Sequence, residues 1–153
     1  MPKISPFLWF DNNQAEEAAN LYTSVFPNSK VTRVLRTGPE GGVLTVEFEL
    51  DGQPFTALNG EPGHPFSDAV SLVVSCSDQA EVDHYWDRLT ADGGEPGPCG
   101  WLKDQFGVSW QVVPTVLMQL LADPDAARAG RAMQAMMMMS KLDIKALEDA
   151  HRG

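Results

Sequence analysis

Phe7-Leu8-Trp9-Phe10 followed by Asn13-Gln14-Ala15-Glu16, and Leu72-Val73-Val74 followed by Asp78-Gln79-Ala80-Glu81, are two versions of one phrase: an apolar strand run, then the opening of an amphipathic helix. Each half later carries a matching turn and strand. In the first it is Asp51-Gly52-Gln53-Pro54-Phe55-Thr56-Ala57-Leu58, and in the second Phe106-Gly107-Val108-Ser109-Trp110-Gln111-Val112-Val113. A strand–helix–hairpin unit written twice predicts an α+β chain of two similar βαβββ modules, half-barrels around a shared cleft.

Local signals extend the pattern outward. Residues 3–10 read as the first strand, with Asn13 as N-cap and Glu16 completing a capping-box-like pair. Ala18, Leu21, Tyr22, Val25 and Phe26 recur at helical spacing until Pro27-Asn28 stops the helix. Val31 to Thr37 reads as a strand, and strict alternation sets Leu44, Val46, Phe48 and Leu50 on one face of the next. Asp51-Gly52 marks a tight hairpin. The second unit repeats this with a strand at 69–76 and a helix from Asp78 burying Val82, Tyr85, Trp86 and Leu89. A short irregular strand near 95–99 and a hairpin over Trp101–Val113, turning at Phe106-Gly107, complete it. The organisation is a single domain: first module 1–60, breaker-rich linker 61–68, second module 69–114, and a helical extension 115–153. In that extension residues 115–121 and 125–139 read as helices, the second striped by Ala126, Ala129, Met133, Met136 and Met137. Asp143 caps a last short one.

A chain of 153 residues with 43% hydrophobic and 21% charged residues buries a proper core without staples. Eleven basic against 21 acidic residues give a formal charge of -10, the wrong sign for a phosphate backbone, so no nucleic-acid partner is expected. No apolar stretch approaches the ~20 residues of a membrane span, and Met1-Pro2-Lys3-Ile4-Ser5 lacks a signal-peptide pattern. Two cysteines make no disulfide framework and seven methionines favour a reducing place, so the expected location is the cytoplasm.

Strand parity sorts side chains between the helix side and the cleft side. Leu8, Phe10, Leu72, Val74, Phe55, Ala57, Trp110 and Val112 belong under the helices. Their alternates Ser5, Phe7, Trp9, Thr45, Glu47, Glu49, Thr56, Leu58, Ser71, Val73, Gln111 and Val113 line the concave side, a mixed aromatic and polar surface suited to a small organic ligand. Trp9 and Trp101 are placed to stack a flat or cationic ligand. Glu47 and Glu49, about 7 Å apart on one strand face, supply either a general base, a grip on a cation, or a solvated outer face. Asn59 ends its strand as either a ligand hydrogen-bonding group or a turn residue. His64 is either on a loop that closes over the cleft or a surface histidine, and Cys99 is either a thiol near the pocket or a plain buried or strand cysteine.

The paired βαβββ grammar, Phe-Leu-Trp-Phe-Asp at 7–11 with its Glu-Glu-Ala-Ala helix, and the run from Cys99 to Pro114 resemble the PhnB-like branch of the vicinal-oxygen-chelate superfamily. That superfamily includes glyoxalases, extradiol dioxygenases and fosfomycin- and bleomycin-resistance proteins. The resemblance takes in nearly the whole chain, C-terminal helices included, and implies a homodimer. Branch members often carry the label demethylubiquinone methyltransferase. The superfamily's metal enzymes hold their ion at four strand positions, which correspond here to Ser5, Thr56, Ser71 and Gln111. None is His, Cys, Asp or Glu, the usual ligands of a catalytic divalent ion. The expectation is therefore a metal-independent small-molecule-binding protein without a cofactor. The alternative is a glyoxalase- or dioxygenase-type enzyme with a differently assembled metal site from Gln111, a glutamate and His64. The methyltransferase ranks last, because Gly93-Gly94-Glu95-Pro96-Gly97-Pro98 leads into a hairpin and not into a helix.

Overall fold

Alternation governs the first module in the computed structural model, which describes residues 2–153. Strands β1 (Phe7–Phe10), β2 (Lys30–Thr37), β3 (Gly42–Leu50) and β4 (Gln53–Asn59) form an open sheet in the order β1-β4-β3-β2, with β1 parallel to β4. Helix α1 (Ala15–Val25) buries Ala15, Ala18, Ala19, Tyr22 and Val25. Beneath it, Leu8, Phe10, Val46, Phe48, Leu50, Phe55 and Ala57 are buried, the parity the sequence predicts. Tyr22 meets Phe48 at 6.3 Å between ring centroids, and Phe48 stacks on Phe55 at 5.3 Å. Asp51 and Gly52 both take positive φ (49° and 81°), which a two-residue hairpin turn requires.

The chain divides into two units, one ending at Pro65 and the other spanning Phe66–Gly153, so the break falls within the breaker-rich segment 61–68. In the second unit β5 (Leu72–Cys76), β6 (Glu95–Pro96), β7 (Trp101–Lys103) and β8 (Ser109–Pro114) form another open sheet, ordered β5-β8-β7-β6, under α2 (Gln79–Thr90). The duplication is exact in its hydrogen-bond register. Phe7 pairs with Thr56 as Val73 pairs with Gln111, each across the parallel pair of its own sheet. Neither sheet closes into a barrel.

Three local expectations need correction. The strand predicted from residue 3 begins at Phe7, because Pro6 has no N–H to donate and contributes only its carbonyl, to Thr56 N–H at 3.1 Å, and the strand predicted from residue 69 begins at Leu72, after a turn over residues 68–70. The strand near 95–99 is only Glu95–Pro96. Asn13 is not the cap of α1: it lies at φ 57°, Gln14 occupies the cap position without a side-chain bond, and Glu16 turns to Arg36 at 3.4 Å. The capping box forms instead at the second copy. There Asp78 accepts from Glu81 N–H at 2.9 Å, and Glu81 reaches back to Ser77 N–H at 2.9 Å.

The extension builds a core of its own within the second unit. Helices α3 (Val116–Leu121), α4 (Ala126–Met137) and α5 (Ile144–Arg152) enclose Leu117, Leu142 and Leu147, packed with Val113, Leu120, Leu121, Ala135, Met136 and Met139. The predicted stripe on α4 is displaced. Ala132 is its buried residue and Met136 packs inward, while Ala126, Met133 and Met137 face solvent. Asp125 and Asp143 cap α4 and α5 as their sequence positions suggest. Among the described residues, no helix is long and apolar enough to cross a membrane.

Candidate functional site

Register arranges the open face of the first sheet into two rows. Phe7, Thr56, Glu47 and Arg33 lie level across the four strands, and Trp9, Leu58, Thr45 and Leu35 form the next row. Phe7 and Trp9 stay 59% and 36% exposed, so this face presents aromatic carbon beside a hydroxyl and a charge pair. The charge pair is Glu47 with Arg33, whose guanidinium hydrogen-bonds the carboxylate directly. A carboxylate already held by a guanidinium has less charge to offer a further cation than a free one. Glu49 follows two residues on, level with Pro54 and Lys30.

Trp9 is fixed by the loop after β4. Its indole Nε1–H donates to the Glu61 carbonyl at 3.1 Å, and the His64 ring lies 4.3 Å away, tilted by 43°. Asp11 holds that loop down by accepting the N–H groups of Gly63 (3.3 Å) and His64 (3.2 Å). Gly60 must lack a side chain, since a Cβ there would fall 2.2 Å from Trp9 Cε2. Asn59 is also engaged. Its Oδ1 accepts from Ala15 N–H at 2.9 Å, serving the N-terminus of α1 that Asn13 leaves uncapped, and its Nδ2 donates to the Val43 carbonyl at 3.0 Å.

In the second sheet, Val73, Gln111 and Trp101 form the matching row. Gln111 Nε2 donates to Ser71 Oγ at 3.0 Å, so the two positions expected to carry metal donors in this module hydrogen-bond to each other. In the first module the corresponding positions are Ser5, exposed ahead of β1, and Thr56. A hydroxyl–hydroxyl and a hydroxyl–amide pair offer neutral oxygens and no imidazole, thiolate or carboxylate, which does not fit a catalytic divalent ion. Among the described residues, no three His, Cys, Asp or Glu side chains converge.

Trp101 also lines a cavity of about 340 Å³ beside the β6–β7 pair, together with Asp68, Glu95, Pro96, Gly97, Pro98, Leu102 and Lys103. Of these only Trp101 stands out in the sequence as a ligand contact. Asp68 reads there as a linker breaker and Glu95 as part of a glycine-rich turn, because a linear pattern does not show that edge strand and linker border one hollow. Asp104 is a further buried carboxylate, 3% exposed, whose Oδ1 accepts from Phe106 and Val108 N–H and whose Oδ2 accepts from Trp110 Nε1. It shapes the hairpin turn.

The two thiols differ in kind. Cys76 is fully buried, and its thiol is pushed up to about 11 by burial, with Glu81 and Asp78 adding to the effect. Cys99 is half-buried, in a positive-φ turn (58°), with Sγ 3.8 Å from Met137 Sδ.

Residues 2–113 match the family described as 3-demethylubiquinone-9 3-methyltransferase. The PhnB protein from Bacillus cereus is 33% identical, with a TM-score of 0.66 over 74% of this chain and 100% of its own. A Pseudomonas aeruginosa protein is 18% identical, with a TM-score of 0.62 over 74% of this chain and 98% of its own. The fosfomycin resistance protein FosX from Listeria monocytogenes is 16% identical, with a TM-score of 0.54 over 78% of this chain and 97% of its own. FosX has also been solved with Mn(II) and sulfate. No curated protein matches the chain. The family match covers residues 2–113, and α3, α4 and α5 lie beyond it.

Proposed function

Because the chain belongs to the PhnB-like family named for 3-demethylubiquinone-9 3-methyltransferase, within the glyoxalase/bleomycin-resistance superfamily, we propose that it binds a small organic molecule without a metal ion. The carrying observation is the Ser71–Gln111 hydrogen bond, which couples a hydroxyl and an amide where a catalytic divalent ion is usually held by imidazole or carboxylate donors, and one neutral amide oxygen does not make such a site. The pocket of about 340 Å³ at Trp101 falls within the range of small-ligand sites and combines apolar walls with a few polar groups. The family's methyltransferase name finds no support in the glycine-rich segment 93–98. That segment runs into the β6–β7 pair, whereas a nucleotide-type loop opens a helix whose N-terminus meets the ligand.

Native mass spectrometry of freshly purified protein tests the proposal, reading copy number, metal and co-purified organic mass together. The expected spectrum shows a homodimer carrying an organic adduct and no stoichiometric transition metal. A full equivalent of Ni, Zn, Fe or Mn per chain would overturn it.

A further inference from the structure

The cavity at the β6–β7 edge has a composition that selects a charge type. Trp101, Pro96, Pro98 and Leu102 provide apolar wall, Asp68 and Glu95 provide two carboxylates, and Lys103 provides one ammonium, so the lining carries a net charge of −1. Lys103 is level with Glu95 across the strand pair, and its side chain is exposed. Asp68 is held in place because Ser109, only 1% exposed, donates its Oγ–H to Asp68 Oδ1 at 2.7 Å. An indole face beside carboxylates attracts a weakly hydrated organic cation and disfavours an anion. The overall charge of -10 adds a long-range field of the same sign.

We infer that this cavity binds an organic cation, a quaternary or protonated amine carried on a flat apolar body, with the charge set against Glu95 and Asp68 and the body against Trp101. This deepens the small-molecule-binding reading and rests on it. The cavity wall is rigid on the side of the extension. Ser140 Oγ donates to the Gly97 carbonyl at 2.6 Å, and Cys99 and Gly100 N–H donate to the Met139 and Ser140 carbonyls, both at 2.8 Å. Gly97 has no room for a side chain, since a Cβ would lie 2.9 Å from the Trp101 carbonyl oxygen. The family core supplies Trp101, Glu95 and Lys103, and the extension braces the turn that closes the hollow behind them. A pre-formed wall lowers the ordering cost of binding.

The test is an NMR titration of the full chain with three probes sharing one aryl group: benzyltrimethylammonium, N-benzylacetamide and phenylacetate. The readout is the Trp101 indole N–H resonance, assigned with W101F. The cation is expected to move that resonance with about tenfold preference over phenylacetate. E95Q and D68N should each weaken the cation roughly threefold, and K103Q should strengthen it by about the same factor, as suits partly exposed charges. Asn at 68 keeps an acceptor for Ser109, and unchanged spectral dispersion of each variant establishes that it folds. Phenylacetate binding as tightly as the cation, or a cation titration insensitive to E95Q and D68N, overturns the inference. In that outcome binding of N-benzylacetamide at Trp101 leaves the small-molecule reading standing. No shift with any probe, together with native spectra free of adduct, defeats both.

Discussion

At the scale of single residues, close packing around Trp9 is the sharpest feature of the first module. Gly60 lies so near the indole that a Cβ would overlap Cε2, Nε1 and Cζ2 at 2.2–2.7 Å, and a ring held by its own hydrogen bond and by His64 has little freedom to yield. Gly60→Ala is therefore expected to destabilise the protein by roughly 1–3 kcal/mol, the usual cost of overpacking. Denaturant unfolding would check it, and an unchanged midpoint would show that Trp9 is loosely held. The cysteines give a second residue-scale expectation. At pH 8 the buried thiol of Cys76, with its pKa raised to about 11, stays protonated and shielded. One equivalent of iodoacetamide should label the native chain at Cys99, and two should label it in denaturant. Equal labelling of Cys76 in the native state would contradict its burial. Parity made the exposure of Phe7 and Trp9 and the burial of Leu8 and Phe10 legible in sequence. The partnership of Asn59 with Ala15 was not legible, since it joins the end of β4 to a helix 44 residues earlier.

At the scale of elements, the two copies of the βα unit show which signals survive folding. Asp78-Gln79-Ala80-Glu81 caps its helix as written, whereas Asn13-Gln14-Ala15-Glu16 does not, because a long-range amide from β4 satisfies the helix instead. The extension shows the converse. Helix periodicity locates α3, α4 and α5, but the phase of α4 is set by the leucines it meets, and methionines on all sides of the helix leave that phase ambiguous. Three carboxylates in or against the extension have depressed pKa values. Asp83 is lowered by Gln79 and then by Lys141, Asp123 by the Asp125 N–H and then by His151, and Asp149 chiefly by Lys145. A depressed folded pKa contributes stability at pH values above the unfolded one, near 3.9, and loses it as pH falls through the folded value. Docking of α4 and α5 should therefore loosen below about pH 4. Hydrogen-exchange protection factors should fall in residues 126–152 before they fall in β3 and β4. Parallel loss in all of these elements would show that the carboxylates do not hold the extension.

At the scale of the whole molecule, duplication carries the argument. The equivalent pairings Phe7–Thr56 and Val73–Gln111 show that both modules follow one plan, and this was readable because turn, strand and helix signals recur in the same order. The cavity was less readable, because its lining is gathered from positions 68, 95–98 and 101–103. The account as a whole rests on Ser5, Thr56, Ser71 and Gln111 being unable to hold a catalytic ion. Calorimetric titration of the chelator-treated chain with Mn(II), Ni(II) and Zn(II), in parallel with Gln111→Ala, tests this most directly. The account predicts no one-to-one binding tighter than roughly micromolar for any of the three ions, and identical traces for the variant. One equivalent bound tightly by the natural chain and lost in Gln111→Ala would contradict it.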